Sequence, residues 1–231
     1  MADGASYLIP TEPGLPHPLG RAGVNHDPRN RAHRALVAPP ARAATPGVSW
    51  YTRDVYDQGR ESRCTVEAAI GCLRTTPNRA GFRPDFARYD EPAERQALYL
   101  EAQRNDPWPG EAYDGTSTDA PWKVLRDRGA VASWRWLFGE GELWEWVQWF
   151  GPAVVGTLWH DAMFTPDRAG FVHPDGAVVG GHAYRIVQAR SGRYRIVNSW
   201  GRDWGQEGRA WITRADMATL LSADGDAVVA G

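Results

Sequence analysis

Gly151-Pro152 divides this chain into two regimes of hydrophobic period. Before it, apolar residues recur at helical spacing. After it, they gather in short runs bounded by glycine and aspartate, the signature of strands. A proline without an N–H cannot continue a helix, so the change is abrupt. The first regime predicts a helix from Cys64, with Val66, Ala69, Ile70 and Leu73 on one buried face. A second helix lies within 77–106 around Pro92–Leu100, with the proline in its first turn. A third runs from about Ala120 to Arg128, capped by Ser117 or Thr118, and a fourth covers 141–150. The second regime predicts strands at Ala153–Trp159, Gly170–Val172, His182–Gln188, Tyr194–Asn198 and Ala210–Ile212. The fold class is therefore α+β, a helical first lobe followed by an antiparallel β lobe.

The flanks differ from this body. Residues 1–47 carry prolines at 10, 13, 16, 18, 28, 39, 40 and 46, which forbid a long helix. They read as an extended arm that is either disordered or laid against the folded body. Within it, His26-Asp27-Pro28-Arg29 is a polar turn with no assigned chemistry. The expected organisation is the arm at 1–47 and a domain at 48–221, split near 140 into its two lobes. Residues 222–231 read as a tail.

Composition excludes several classes. The 231 residues carry a net charge of −2, so no overall field directs the chain to nucleic acid or an anionic membrane. No apolar run is long enough to span a bilayer, and no signal peptide is legible at the start. Cys64 and Cys72 are the only cysteines, eight residues apart on one helix. That is about 12 Å, too far for a disulfide, so a reducing compartment is expected. Cys72 reads as a buried helix residue. His160, Asp161 and His173 lack zinc-site spacing and read as surface or loop residues. No metal and no cofactor are expected.

The chemistry lies in three short segments. Gln58-Gly59 leads through a polar loop to Cys64, which opens the apolar helix. A thiol is a nucleophile only as its thiolate, and a helix N-terminus favours that charge. Arg60 and Arg63 favour it too, whereas Glu61 opposes it. Gly180-Gly181-His182-Ala183 and Asn198-Ser199-Trp200-Gly201 bracket the hairpin of the β lobe. A loop centred on Arg190 places His182 across from Asn198, on one face. A two-residue Ser191-Gly192 turn places them on opposite faces. The catalytic reading thus demands the wider loop. In it, His182 takes the proton of Cys64 and the Asn198 amide oxygen orients the imidazole. The Cys64 backbone N–H and the Gln58 side chain hold the oxyanion, at about 3 kcal/mol per donor. Trp200 shields the His182–Asn198 bond from water.

Gln58-Gly59 before Cys64, His182 leading a strand, and the run N-S-W-G-x-x-W-G-x-x-G from Asn198 to Gly208 together resemble the papain family of cysteine peptidases. The resemblance covers about 48–221. It implies the two-lobed papain-like fold with the site between the lobes, hydrolysis of peptide bonds, and a peptide or protein substrate. It also implies that Gly115-Thr116 bonds the substrate backbone, with threonine where a second glycine is usual, and that Gly181 lines the pocket beside the scissile bond.

The chain departs from the family pattern around the nucleophile. The usual C-G-[SA]-C-[WY] is absent: Glu61 stands in place of the first cysteine, and Thr65 in place of the aromatic. His182 and Asn198 follow Cys64 by 118 and 134 residues, so the loops are trimmed. These departures suggest a bacterial or phage relative, cytoplasmic or virion-associated, without the secreted branch's disulfides. The alternative is a papain-like module that no longer cleaves and serves as a binding or structural component, for example in a virion. A transglutaminase or amidase with the same triad is a third class, and Asn198 in the third position favours peptide hydrolysis over it.

Overall fold

The computed structural model describes residues 7–24, 28–37, 49–78, 84–108 and 113–231. His26 and Asp27, and residues 79–83 of the expected helical stretch 77–106, lie outside them. Five α-helices are described: α1 (Cys64–Leu73), α2 (Pro92–Arg104), α3 (Ala120–Asp127), α4 (Glu140–Trp149) and α5 (Arg214–Ser222). A two-stranded ribbon, β1 (Tyr7–Leu8) with β2 (Gly23–Val24), lies in the arm. The body holds β3 (Trp134–Leu137), β4 (Ala153–His160), β5 (Val178–Arg190), β6 (Arg193–Val197), β7 (Arg209–Thr213) and β8 (Asp226–Ala230). These six form one antiparallel sheet in the order β3-β8-β4-β5-β6-β7. The α+β class and the helical-then-β order agree with the sequence reading.

Several expectations need correction. Residues 222–231 are not a tail. Asp226–Ala230 form β8, hydrogen-bonded between β3 and β4 inside the sheet. The consecutive residues Ala227, Val228 and Val229 are all buried, so the run lacks the alternation that marks a half-exposed strand. Gly170–Val172 is no strand; Phe171 makes a single bridge to Trp211. Neither Ser117 nor Thr118 caps α3. Asp119 holds that position without a side-chain cap, accepting instead from the Ser117 hydroxyl at 2.7 Å and pairing with Lys123 at 2.8 Å.

Helix α1 buries every residue, not one face. It lies between the sheet, chiefly β5, and helices α2 and α3. Its polar face is neutralised from within: the Glu67 carboxylate pairs with Arg63 at 2.7 Å and Arg95 at 2.7 Å, all three deeply buried. Arg63 therefore serves this ion pair and not the thiol, contrary to expectation. Removing the carboxylate strands two guanidinium groups in the core. Glu67→Ala is expected to lose about 3–5 kcal/mol of stability, read as a lower urea midpoint.

Two apolar cores flank α1. One gathers the helical lobe around Ile70, Leu98, Trp122 and Leu125. The other fills the β lobe around Trp159, Tyr184, Ile196 and Trp200. Cys64 belongs to the first and Trp200 to the second, so the thiol stands where the lobes meet. Cys64 and Cys72 are both free and buried. No helix among the described residues is long and apolar enough to cross a membrane.

Candidate active site

The loop before α1 is stitched to the segment after β6. Gln58 N donates to Ser199 O at 2.8 Å, and Gly201 N donates to Tyr56 O at 3.0 Å. This places the Gln58 side chain beside Ser199, whose hydroxyl donates to Oε1 at 2.6 Å. With its oxygen engaged, the amide turns its N–H groups the other way. Nε2 donates to Glu61 O at 2.7 Å and Pro18 O at 3.3 Å.

His182 and Asn198 meet by a route the sequence reading did not foresee. The hairpin loop is the tight one: Ser191 and Gly192, at φ 51° and 73°, form a two-residue turn closed by the Arg190–Arg193 pair. Continued without interruption, that register would put the two side chains on opposite faces. A bulge between Ile186 and Gln188 inserts one extra residue in β5 and shifts the register by one. Because side chains alternate with period two, a one-residue shift restores the shared face. His182 Nε2 then lies 2.7 Å from Asn198 Oδ1.

Hydrogen bonding fixes the proton on the ring. Asn198 Oδ1 accepts from the backbone N–H of Ser199 at 2.8 Å, which identifies it as the oxygen. The facing Nε2 must therefore carry the hydrogen, and Nδ1 is left as the basic nitrogen. Nδ1 is buried and has no hydrogen-bond partner among the described residues. The Cys64 sulfur lies 3.3 Å from the backbone nitrogen of Ala183, the next residue along β5, and accepts its N–H. Trp200 stacks on the His182 ring, centroids 4.6 Å apart, and Trp159 meets it edge-on at 4.8 Å. Both rings thus pack directly against the imidazole that bonds Asn198.

The arm lies across this site. Pro18 O accepts from both Gln58 Nε2 and Trp200 Nε1, the latter at 3.2 Å, and His17 stacks on Trp200 at 4.5 Å. Thr116 N donates to Gly20 O at 3.1 Å, and Thr116 O accepts from Ala22 N at 3.1 Å. Arg21 N donates to Gly181 O at 3.0 Å. So Gly115, Thr116 and Gly181, singled out as a backbone-binding set, face a peptide segment here, and it is the chain's own. Gly115 is held from behind by Tyr99, whose hydroxyl accepts its N–H at 2.7 Å, and by Gln103, which donates to its carbonyl at 3.1 Å. The Thr116 hydroxyl donates to Asp106 at 2.6 Å, so its backbone remains free to pair.

This cover sets the electrostatics. Burial pushes the Cys64 thiol from 9.0 up to about 12, against smaller opposing effects from the N–H groups of Ala183, Gly20 and Thr65. Burial likewise pushes His182 from 6.5 down to about 3, partly opposed by the bond to Asn198. Under the arm, thiol and imidazole are both neutral at pH 7. The sequence reading missed Pro18, Arg21, Ser199 and Asp226 as members of this neighbourhood. His160 and His173 sit apart from it: His160 lies near Gly176 O at 3.2 Å, and His173 lies near Asp216 at 3.2 Å. No metal-binding cluster occurs among the described residues.

No family model matches the chain. A cathepsin B-like cysteine proteinase of Schistosoma japonicum is 40% identical over 89 residues, which is 37% of this chain and only a quarter, 25%, of that protein. Among solved structures, xylellain, a cysteine protease from Xylella fastidiosa, superposes with a TM-score of 0.64 at 17% identity, covering 96% of this chain and 97% of that one. The digestive procathepsin L2 proteinase of Tenebrio molitor gives 0.62 at 16% identity, covering 98% and 84%.

Proposed function

We propose that this chain, which has the fold of the papain-like cysteine proteases, is a cysteine peptidase held latent by residues 17–22 of its own arm. The observation that carries the reading is the pairing of His182 with Asn198 at 2.7 Å beside a sulfur only 3.3 Å from Ala183 N. Once the arm lifts, water reaches the site and the burial that holds both groups neutral is relieved. His182 Nδ1 takes the Cys64 proton, and the thiolate attacks a peptide carbonyl carbon. Gln58 Nε2 and the Cys64 backbone N–H hold the oxyanion. The C–N bond breaks as His182 returns its proton to the leaving amine. Water, deprotonated by the same imidazole, then attacks the thioester and releases the acid, regenerating the thiol. Asn198 holds the ring through Nε2, which leaves Nδ1 as the nitrogen that takes the proton.

The covered cleft also fits a second reading, a binding module that never cleaves. Reaction with a peptidyl electrophile separates the two. A peptidase is expected to label at Cys64 far faster than free cysteine at pH 6–7. Labelling should fall roughly 10²-fold or more in His182→Ala and by a smaller factor in Asn198→Ala. Labelling no faster than free cysteine, and insensitive to His182→Ala, sinks the peptidase reading.

A further inference from the structure

Positive charge outweighs negative in the buried ground between α1 and β5. Arg63, Arg95 and Arg185 are all buried, and Glu67, buried beside them, is already shared by the first two. Three guanidinium groups against one carboxylate leave two positive charges unmatched there. Asp54 acts on Arg185 from a distance but pairs with Arg74 at 3.0 Å. Arg185 reaches from β5 to α1 at Gly71, where a Cβ would stand 1.6 Å from Nη1, so the bare helix backbone makes the room for it. Its Nε, Nη1 and Nη2 have no hydrogen-bond partner among the described residues. Burial pulls this guanidinium from 12.5 down to about 10, so it is still a cation at pH 7.

Arg185 lines a cavity of about 10 Å³ together with Tyr56, Glu67 and Asn198. The Tyr56 hydroxyl and Asn198 Nδ2 are likewise buried without a partner among the described residues. Burial pushes the Tyr56 phenol up to about 12, so it keeps its proton and can donate. Glu67 Oε2 is taken by Arg95 at 2.7 Å. The unpartnered groups of Arg185, Tyr56 and Asn198 are thus all N–H or O–H donors. A water could accept from them but would leave the charge of Arg185 unmatched, whereas a monatomic anion answers both needs. The room suits one small sphere and excludes a tetrahedral oxyanion. We propose that this cavity is a halide site, holding one chloride between Arg185, Tyr56 and Asn198. The same Asn198 amide turns its oxygen to His182, so the ion sits directly behind the His182–Asn198 pair. The inference concerns binding and stands whether or not the chain cleaves peptides.

The test compares thermal melts of the full chain in sodium chloride, sodium bromide and sodium gluconate at equal ionic strength. Chloride and bromide are expected to raise Tm above the gluconate value by about 2–4 °C, the shift given by a ligand that binds only the folded chain. Arg185→Met keeps a long side chain and removes the charge, and in this variant the difference between chloride and gluconate should vanish. Equal Tm in all three salts overturns the site. So does a difference of the same size in Arg185→Met, which marks an ion effect elsewhere on the protein. Should Arg185→Met fail to fold, crystals of the parent chain grown in bromide must show an anomalous peak within hydrogen-bond reach of the Arg185 guanidinium. A water at that place, with no anomalous signal, also overturns the proposal.

Discussion

Cys64→Ala is expected to abolish peptide hydrolysis by the arm-displaced chain, by roughly 10⁴-fold or more, while the fold survives. The side chain is small and fully buried in the helical-lobe core. Losing one sulfur there removes little apolar contact, and alanine is the best helix former for the first turn of α1. The loss is therefore chemical. Circular dichroism should superpose on that of the parent, and no fluorogenic peptide should be turned over. Residual cleavage within 10-fold of the parent would show that another group performs the reaction.

The second large effect concerns the cover. Gly20 sits so close to the Ser62 carbonyl that a Cβ cannot be placed between them. The obstacle is backbone, which cannot swing aside as a long side chain does. Gly20→Val should lift the segment from the cleft and return the thiol toward its ordinary range. From about 12 to 9.0 is three decades of thiolate at pH 7, so iodoacetamide should modify Cys64 up to about 10³-fold faster. The sign follows from desolvation, which raises an acid that ionises to an anion. An unchanged rate would mean that the arm is not what suppresses the thiol. A near-parental thermal melt would confirm that the body remains folded.

Much of this was legible in the chain, and the reasons differ by residue. Cys64, His182 and Asn198 lie in local patterns in which a reactive side chain is framed by glycine, tryptophan or an apolar helix. The hairpin was readable as a hairpin but not in register. Ser191-Gly192 indicates the tight turn, yet nothing in the run Ile186-Val187-Gln188 announces a bulge, because all three residues suit either register. The parity rule was right, and the premise of an unbroken ladder was wrong. Helix α5 and strands β3 and β8 went unread because their residues take their identity from tertiary neighbours. The Arg21–Asp226 pair has no sequence signature at all, since 205 residues separate the partners. The full burial of α1 was missed for a similar reason: Glu67 looks solvent-directed until Arg63 and Arg95 are seen around it.

The position of β8 has a consequence for biosynthesis. Among the described strands it emerges last from the ribosome, whereas the arm emerges first. Until Asp226–Ala230 lies between β3 and β4, the Arg21 side chain lacks its buried carboxylate partner. The Arg21 guanidinium can therefore reach its carboxylate only after β8 has joined the sheet.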